Sequence, residues 1–269
     1  MVLRPAPETK FMTPGRERLF HYAIAAKKAI NGAVPVDGFS EAPANDFVLG
    51  MLNLQSSNMS LEEKINAQAT VFMHEFGHNL GLYHGGNQIE EQYKINYFSI
   101  MSLQYSLARG LRRDGVDHIL DYSRLKVAAI NEQGIYEENG LSPIYPTTEE
   151  DLDRYGVRYG VDISRDGDAG YWIGGTASEN TDFNNDNNVN YYSINISLNG
   201  DRDANDVIRA SQNDWDNLYY GGTPGEFGDH LLSYTHQNRQ FRIDTTAQPC
   251  PSPVKIQIIE LDDALDPGM

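Results

Sequence analysis

The sequence is poor in cysteine and in long apolar runs. Cys250 is the one cysteine among 269 residues, so no disulfide can form within the chain, and stability must come from a packed core, with bound metal ions as a second source. A run of about eighteen apolar residues, which a transmembrane helix needs, is absent. Residues 1–7 also lack the apolar stretch of an export signal, so we expect any such signal to lie upstream.

Basic residues are scarce relative to acidic ones. The chain has 21 Lys and Arg against 38 Asp and Glu, which gives a formal net charge of −17. This charge argues against binding nucleic acid or an anionic membrane surface by electrostatic attraction. The length, with 40% apolar residues, suffices for one large domain or two small ones.

One segment predicts a long amphipathic helix over residues 61–80. Ser60 and Glu63 have the spacing of a capping box, with the serine at the N-cap. Gly81 offers a left-handed stop at the other end. Apolar residues recur at steps of three or four and predict one buried stripe, formed by Leu61, Ile65, Ala69, Phe72, Phe76 and Leu80.

Elsewhere the periodicity is weaker. Residues 45–54 are typical of a strand, whereas residues 18–30 fit a strand or a strand that leads into a turn of helix. Residues 123–131 favour a second helix, and the chain beyond them is rich in Tyr, Gly and Asn, which indicates irregular structure. Residues 249–269 predict a proline-rich connector followed by a short strand and tail.

The predicted helix carries two histidines that form a candidate metal clamp. His74 and His78 lie one turn apart on the same face, where both imidazoles can reach one ion. Zinc prefers nitrogen donors, and a catalytic zinc has three protein ligands and one position for water. His84 is the candidate third ligand, because a turn at Gly81 would bring it back towards the first two. A downstream acid, Glu90 or Glu91, is the alternative, but it leaves the spacing of Gly81 and His84 unexplained.

These residues carry a family resemblance. His74, Glu75, His78, Gly81 and His84 match every fixed position of the pattern HExxHxxGxxH, so the chain resembles the metzincin zinc metallopeptidases. The resemblance implies an α+β, zincin-like catalytic domain over residues 1–248, with a mixed sheet, a long active-site helix and an irregular C-terminal subdomain. The upper subdomain would span residues 1–81 and the lower one residues 82–248. A secreted or cell-surface location is also implied.

The resemblance extends to a methionine turn. Residues 96–102 (NYFSIMS) make Met101 the counterpart of the family's methionine beneath the three imidazoles. Several metzincins place a tyrosine two residues later, where this chain has Leu103, so Tyr105 is the nearest candidate aid to catalysis. Gly85 follows the third histidine and leaves the subfamily unassigned. With residues 120–124 (LDYSR), these segments resemble poorly characterised bacterial secreted zinc peptidases.

The same residues predict a zinc-dependent endopeptidase. The zinc would acidify its bound water, and Glu75 is placed to accept the proton as the general base. A protein or peptide substrate would lie between the subdomains, held along an edge strand for which residues 45–54 are the candidate. The alternative is a noncatalytic, metal-stabilised binding module of the cell surface, which would have no need of Glu75.

Two segments rich in Asn and Asp alternate oxygen donors as calcium loops do. The candidate ligands are Asp182, Asn184, Asp186, Asp201, Asp203 and Asp206. Neither segment completes an EF-hand, because the sixth position is Asn187 in one and Asp206 in the other, where an EF-hand has glycine. Solvated loops explain the pattern equally well, so calcium remains one of two alternatives. The oligomeric state and the bond that is cut do not follow from the sequence.

Overall fold

The fold combines a long helix with several small sheets. A computed structural model describes residues 21–26, 29–31, 34–40, 42–43, 46–50, 60–86, 91–106, 110–159, 171–173, 175–178, 180–199 and 203–219. Its α-helices are α1 (Leu61–Asn79), α2 (Leu103–Ser106) and α3 (Glu149–Asp153). Its strands are β1 (Tyr22–Ala26), β2 (Ala29–Asn31), β3 (Val34–Val36), β4 (Gly38–Ser40), β5 (Asp46–Gly50), β6 (Leu111–Arg113), β7 (Val116–Ile119), β8 (Ile130–Asn131), β9 (Arg158–Tyr159), β10 (Tyr171–Trp172) and β11 (Val207–Ile208).

A three-stranded mixed sheet packs on α1. Its order is β1-β5-β4, with β5 parallel to β1 and antiparallel to β4. The strand predicted over residues 45–54 is confirmed over Asp46–Gly50, but it is the central strand of this sheet. The expectation that it forms the edge is therefore wrong, because β5 pairs on both sides. The edge beside α1 is β4.

The long helix begins and ends as predicted. Ser60 and Glu63 form the capping box, and Leu80 is the C-cap residue before Gly81, whose φ is +85°. The predicted buried stripe is wrong, because Leu61, Ile65 and Phe72 are 75%, 55% and 46% exposed and Leu80 alone of its six residues is buried. The contacts with the sheet come from the second half, where Phe72 packs edge-on against the Phe47 ring of β5. The buried residues of α1 are Ala67, Thr70, His74, Glu75, Gly77, His78 and Asn79.

The region after α1 is irregular, with short two-stranded ribbons. The helix predicted over residues 123–131 does not form. The backbone N–H groups of this segment instead donate to residues distant in the chain. Val127 N–H donates to the Ser211 hydroxyl, and Ala128 N–H donates to the Ser142 carbonyl. β8 then pairs antiparallel with β11. Long-range pairing thus overrides the local helix propensity of Lys and Ala.

Two buried apolar clusters lie in this part of the chain. The smaller one contains Leu80, Leu82, Tyr97, Ile100, Met101 and Tyr122 and lies against the end of α1. The larger one includes Phe98, Tyr105, Leu152, Val157, Phe183 and Leu198. The Cys250 region and the predicted connector of residues 249–269 lie outside the described residues. No helix of the described part is both long and apolar enough to span a bilayer.

Candidate metal centre

Three imidazoles meet at the C-terminal end of α1. Nε2 of His84 lies 3.2 Å from Nε2 of His78 and 3.1 Å from Nε2 of His74. All three histidines are buried, and together they form a group that could hold a metal ion. The predicted clustering of His74, His78 and His84 is thus observed in the structure.

Backbone carbonyls orient two of these rings. Nδ1 of His74 lies 2.7 Å from the Ile100 carbonyl oxygen, and Nδ1 of His78 lies 2.7 Å from that of Leu82. A carbonyl can only accept, so each Nδ1 carries the proton and donates it. In the neutral imidazole the Nε2 atom is then a lone-pair donor, as a metal ligand must be. Burial lowers the pKa of His74 to about 4, which keeps that ring neutral at pH 7.

The turn after α1 brings the third ring into place. Gly81 takes the left-handed conformation that favours glycine, and its N–H donates to the His78 carbonyl at 2.9 Å. Leu82 N–H donates to the Gly77 carbonyl at 3.0 Å, which reverses the chain. Tyr83 and Gly86 then exchange two backbone hydrogen bonds of 2.9 Å around His84. The expected role of Gly81 follows from this geometry.

Met101 lies in a tight turn that packs against α1 near Gly77. The turn is closed by Ser102 N–H, which donates to the Ser99 carbonyl at 3.0 Å. Ile100, whose carbonyl holds His74, directly precedes Met101 in this turn. Met101 is fully buried, and a Cβ atom on Gly77 of α1 would overlap its sulphur. The helix therefore contacts the turn closely enough that a side chain on Gly77 would have to displace its neighbours in the turn.

Glu75 is a buried acid beside the histidines. Its Oε2 is buried and has no hydrogen-bond partner within the described ranges. Burial, together with the nearby charge of Asp37, raises the pKa of Glu75 to about 8. A Cβ atom on Gly38 would lie 2.5 Å from Oε1 of Glu75, so strand β4 passes directly against this carboxyl group. The edge of the sheet and the acid of the motif thus face each other.

Two buried aspartates lie next to the turn of Met101, and the sequence did not single out Asp214. Asp214 accepts hydrogen bonds from the hydroxyls of Tyr97 (2.6 Å) and Ser99 (2.7 Å) and from Ser123 N–H (2.9 Å). Burial raises the pKa of Asp214, and these donors oppose the shift. Asp121 accepts from Arg113, Arg124 and Trp215. No local pattern marks Asp214, because its partner Tyr97 is 117 positions away.

Two other residues that the sequence suggested, Tyr105 and Glu91, have partners other than the three histidines. Tyr105 is fully buried in the larger apolar cluster, and its hydroxyl donates to the Ile95 carbonyl at 2.7 Å. A hydroxyl so enclosed has no access to a substrate, and Tyr105 acts as a core residue rather than a catalytic one. Glu91, the alternative third ligand, forms ion pairs with Lys94 and Arg209. Glu90 lies outside the described residues.

The acidic calcium candidates fall into two separate loops. In the first, Asp182 accepts from the backbone N–H groups of Asp186 and Asn187, and Asn184 also bonds to Asp186. In the second, Asp203 accepts from Asn205 and lies near Asp206, while Asp201 falls outside the described residues. Within the described ranges, His74, His78 and His84 are close enough together to hold a metal ion as a group of three. The acidic residues of these two loops form no such group there.

Comparison with known proteins gives no further assignment: no family model, curated protein or solved structure matches this chain. The chain is therefore defined by its own geometry, as an α+β protein with a buried three-histidine group that could hold a metal ion.

Proposed function

We propose that the chain is a zinc-dependent endopeptidase with a metzincin-like catalytic domain. The observation that carries the proposal is the separation of the three Nε2 atoms. Two nitrogens bound to one tetrahedral zinc at its usual bond length are about 3.3 Å apart. The two separations of 3.1 and 3.2 Å agree with that value.

The orientation of the rings supports a cation between them. The Nε2 atoms of His74 and His78 are both acceptors, since each Nδ1 proton is given to a carbonyl. A proton on Nε2 of His84 could point at only one of them, which would leave the other contact between two lone pairs. A divalent cation removes this repulsion, and neutral imidazole nitrogen suits zinc.

The number of ligands favours a catalytic zinc over a structural one. Structural zinc sites have four protein ligands, whereas catalytic sites have three and leave one position open. No fourth His, Cys, Asp or Glu joins the three histidines within the part of the chain that the structure describes. When bound, zinc polarises a carbonyl oxygen and lowers the pKa of a water molecule.

Glu75 performs the proton transfers in this proposal. It follows His74 on α1, and its Oε2 has no competing donor among the described residues. The ionised form of Glu75 would be favoured by a cation held by the histidines, and its carboxylate would accept the proton of the attacking water and deliver it to the nitrogen of the departing amine. Peptide hydrolysis then needs no acyl-enzyme, and no second acid is required of the chain.

Strand β4 is suited to hold a substrate. In its sheet it pairs with β5 on one side, and a Cβ on its Gly38 would contact the Glu75 carboxyl group. An extended peptide that adds to the other side by backbone hydrogen bonds would pass beside Glu75. We therefore propose protein or peptide substrates in an extended conformation, and with them a secreted or cell-surface location.

The test is Glu75→Gln, which keeps the size of the side chain and removes its basicity. We expect zinc content to stay at one per chain, while cleavage of a fluorogenic peptide library falls at least about 100-fold. Glu62→Gln, an exposed change in the first turn of the same helix, is the control and should cleave normally. Equal cleavage by Glu75→Gln would refute the assigned role. Zinc binding with no cleavage by the wild type would favour the noncatalytic binding module.

A further inference from the structure

A second buried acid lies far from the histidines in sequence and has an unused oxygen. Glu132 follows β8 and is fully buried. Its Oε1 accepts from the backbone N–H groups of Leu198 and Asn199. Its Oε2 is buried too, yet has no hydrogen-bond partner in the described part of the chain. Buried carboxylate oxygens are costly without a donor or a cation, so this oxygen needs a partner.

The group that faces Glu132 is another acid. The carboxyl group of Asp206 lies within hydrogen-bonding reach of that of Glu132. Oδ2 of Asp206 accepts from the Asn199 side chain at 3.1 Å, but its Oδ1 is buried and also lacks a partner among the described residues. Two acceptors thus meet in a buried place with one unsatisfied oxygen each.

The backbone holds the two acids together. Glu132 N–H donates to the Asp206 carbonyl at 3.2 Å, and the next residue, Val207, is paired with Asn131 in the β8–β11 ribbon. The main chains of the two residues are therefore held side by side by this ribbon. Burial and the neighbouring acid raise the pKa of Glu132 to about 8, because a charge on Glu132 is unfavourable in this place.

Glu137, the other fully buried glutamate nearby, shows how the chain satisfies such a group with protein donors. Its Oε1 accepts from Asn184 N–H at 3.1 Å, and its Oε2 accepts from the backbone and side chain of Asn190 at 2.8 and 2.7 Å. Both oxygens of Glu137 are therefore occupied. At Glu132 the neighbouring side chain is instead a second carboxyl group, that of Asp206, while one oxygen of each lacks a donor, and this arrangement suits a cation.

We propose that Glu132 and Asp206 bind a calcium ion, separate from the histidine group. All the side-chain ligands here are oxygens, which a hard cation prefers. Calcium accepts six to eight oxygens in irregular arrangements, so carbonyl oxygens and water can complete its shell, whereas magnesium demands a regular octahedron. Of the six sequence candidates, only Asp206 belongs to this site, and Glu132 lies outside both Asn- and Asp-rich segments.

The site would stabilise the segment that supports the methionine turn. From Asp206 the chain passes through the buried Ile208 and the Ser211 N–H bond to the Val127 carbonyl. It then reaches Asp214, which holds Tyr97 and Ser99. Calcium would fix the start of this segment by joining it to the end of β8.

The test compares calcium binding by the full chain with that of single variants, after metal removal and reloading with one equivalent of zinc. For the wild type we expect calorimetry to show calcium binding, and the melting temperature to rise by roughly 5 °C at a hundredfold excess over Kd. Magnesium should give a smaller shift. Glu132→Gln and Asp206→Asn should each weaken calcium binding at least tenfold. Asp186→Asn, the same charge loss in the neighbouring loop, is the control and should bind normally.

A second measurement separates a cation site from a purely structural role of Glu132. Without calcium at pH 8, Glu132→Gln should melt no lower than the wild type, because it keeps the acceptor and removes the repulsion from Asp206. Normal calcium binding by both Glu132→Gln and Asp206→Asn would overturn the proposal, as would loss of binding in Asp186→Asn alone. If calcium has no effect on the melting temperature, and the melting temperature falls as the pH rises from 6 to 9, Glu132 and Asp206 share a proton and the calcium proposal is wrong.

Discussion

Gly77 offers a direct test of how closely α1 must approach the methionine turn. A Cβ atom at this position would overlap the sulphur of Met101 and lie 2.8 Å from Cε1 of Tyr122. Both neighbours are buried, so neither can move into solvent. Gly77→Ala must therefore push the turn away from the helix or shift the helix itself.

The expected cost can be worked from two opposing effects. Alanine in place of glycine in a helix interior stabilises by about 1 kcal/mol. Forcing an extra methyl group into a packed core costs about 1–3 kcal/mol, and two simultaneous overlaps indicate the upper part of that range. We therefore expect a net loss of about 1–2 kcal/mol. Because Ile100 precedes Met101 and holds His74, zinc affinity should also fall at least about tenfold.

Urea unfolding and zinc titration measure these effects in a double-mutant cycle with Met101→Ala. Removing the thioether makes room for the new methyl group, so Gly77→Ala should cost less in that background, with a coupling of about 1 kcal/mol or more. Gly134→Ala is a control, because a Cβ there has nothing within 4 Å. If Gly77→Ala binds zinc normally and is as stable as the wild type in both backgrounds, the described contact is wrong.

Two further substitutions probe the surroundings of the site. Asp214→Ala leaves the hydroxyls of Tyr97 and Ser99 and the N–H of Ser123 without their acceptor, and should lower the free energy of unfolding by about 4 kcal/mol in urea; an effect no larger than that of the exposed Asp216→Ala would contradict this role. Gly38→Ala places a methyl group against the Glu75 carboxyl group and should reduce kcat at least about tenfold with unchanged zinc content. Activity equal to that of Gly134→Ala would show that β4 does not constrain Glu75.

The parts that sequence reasoning predicted depend on residues close together in the chain. The capping box joins Ser60 to Glu63, and His74 and His78 are separated by one helical turn. Gly81 is two residues beyond the helix end and needs only its own backbone freedom to redirect His84. Local rules of geometry suffice for these features, so the helix and the histidine group could both be predicted.

The parts that were missed depend on contacts between distant segments. The helix expected at residues 123–131 is replaced by bonds to Ser142 and Ser211, which no local propensity reveals. The position of β5 inside its sheet depends on β1 and β4 together. Asp214 and the pair of Glu132 and Asp206 likewise derive their surroundings from segments that are adjacent only after folding.

In the proposed function, three imidazoles bind one zinc and leave a position open. X-ray absorption at the zinc edge of the purified, zinc-loaded chain tests it directly. We expect one zinc per chain, with three imidazole nitrogens at about 2.0–2.1 Å and one further light ligand from solvent. A substoichiometric zinc content, or a shell completed by sulphur or by a fourth imidazole, would contradict it.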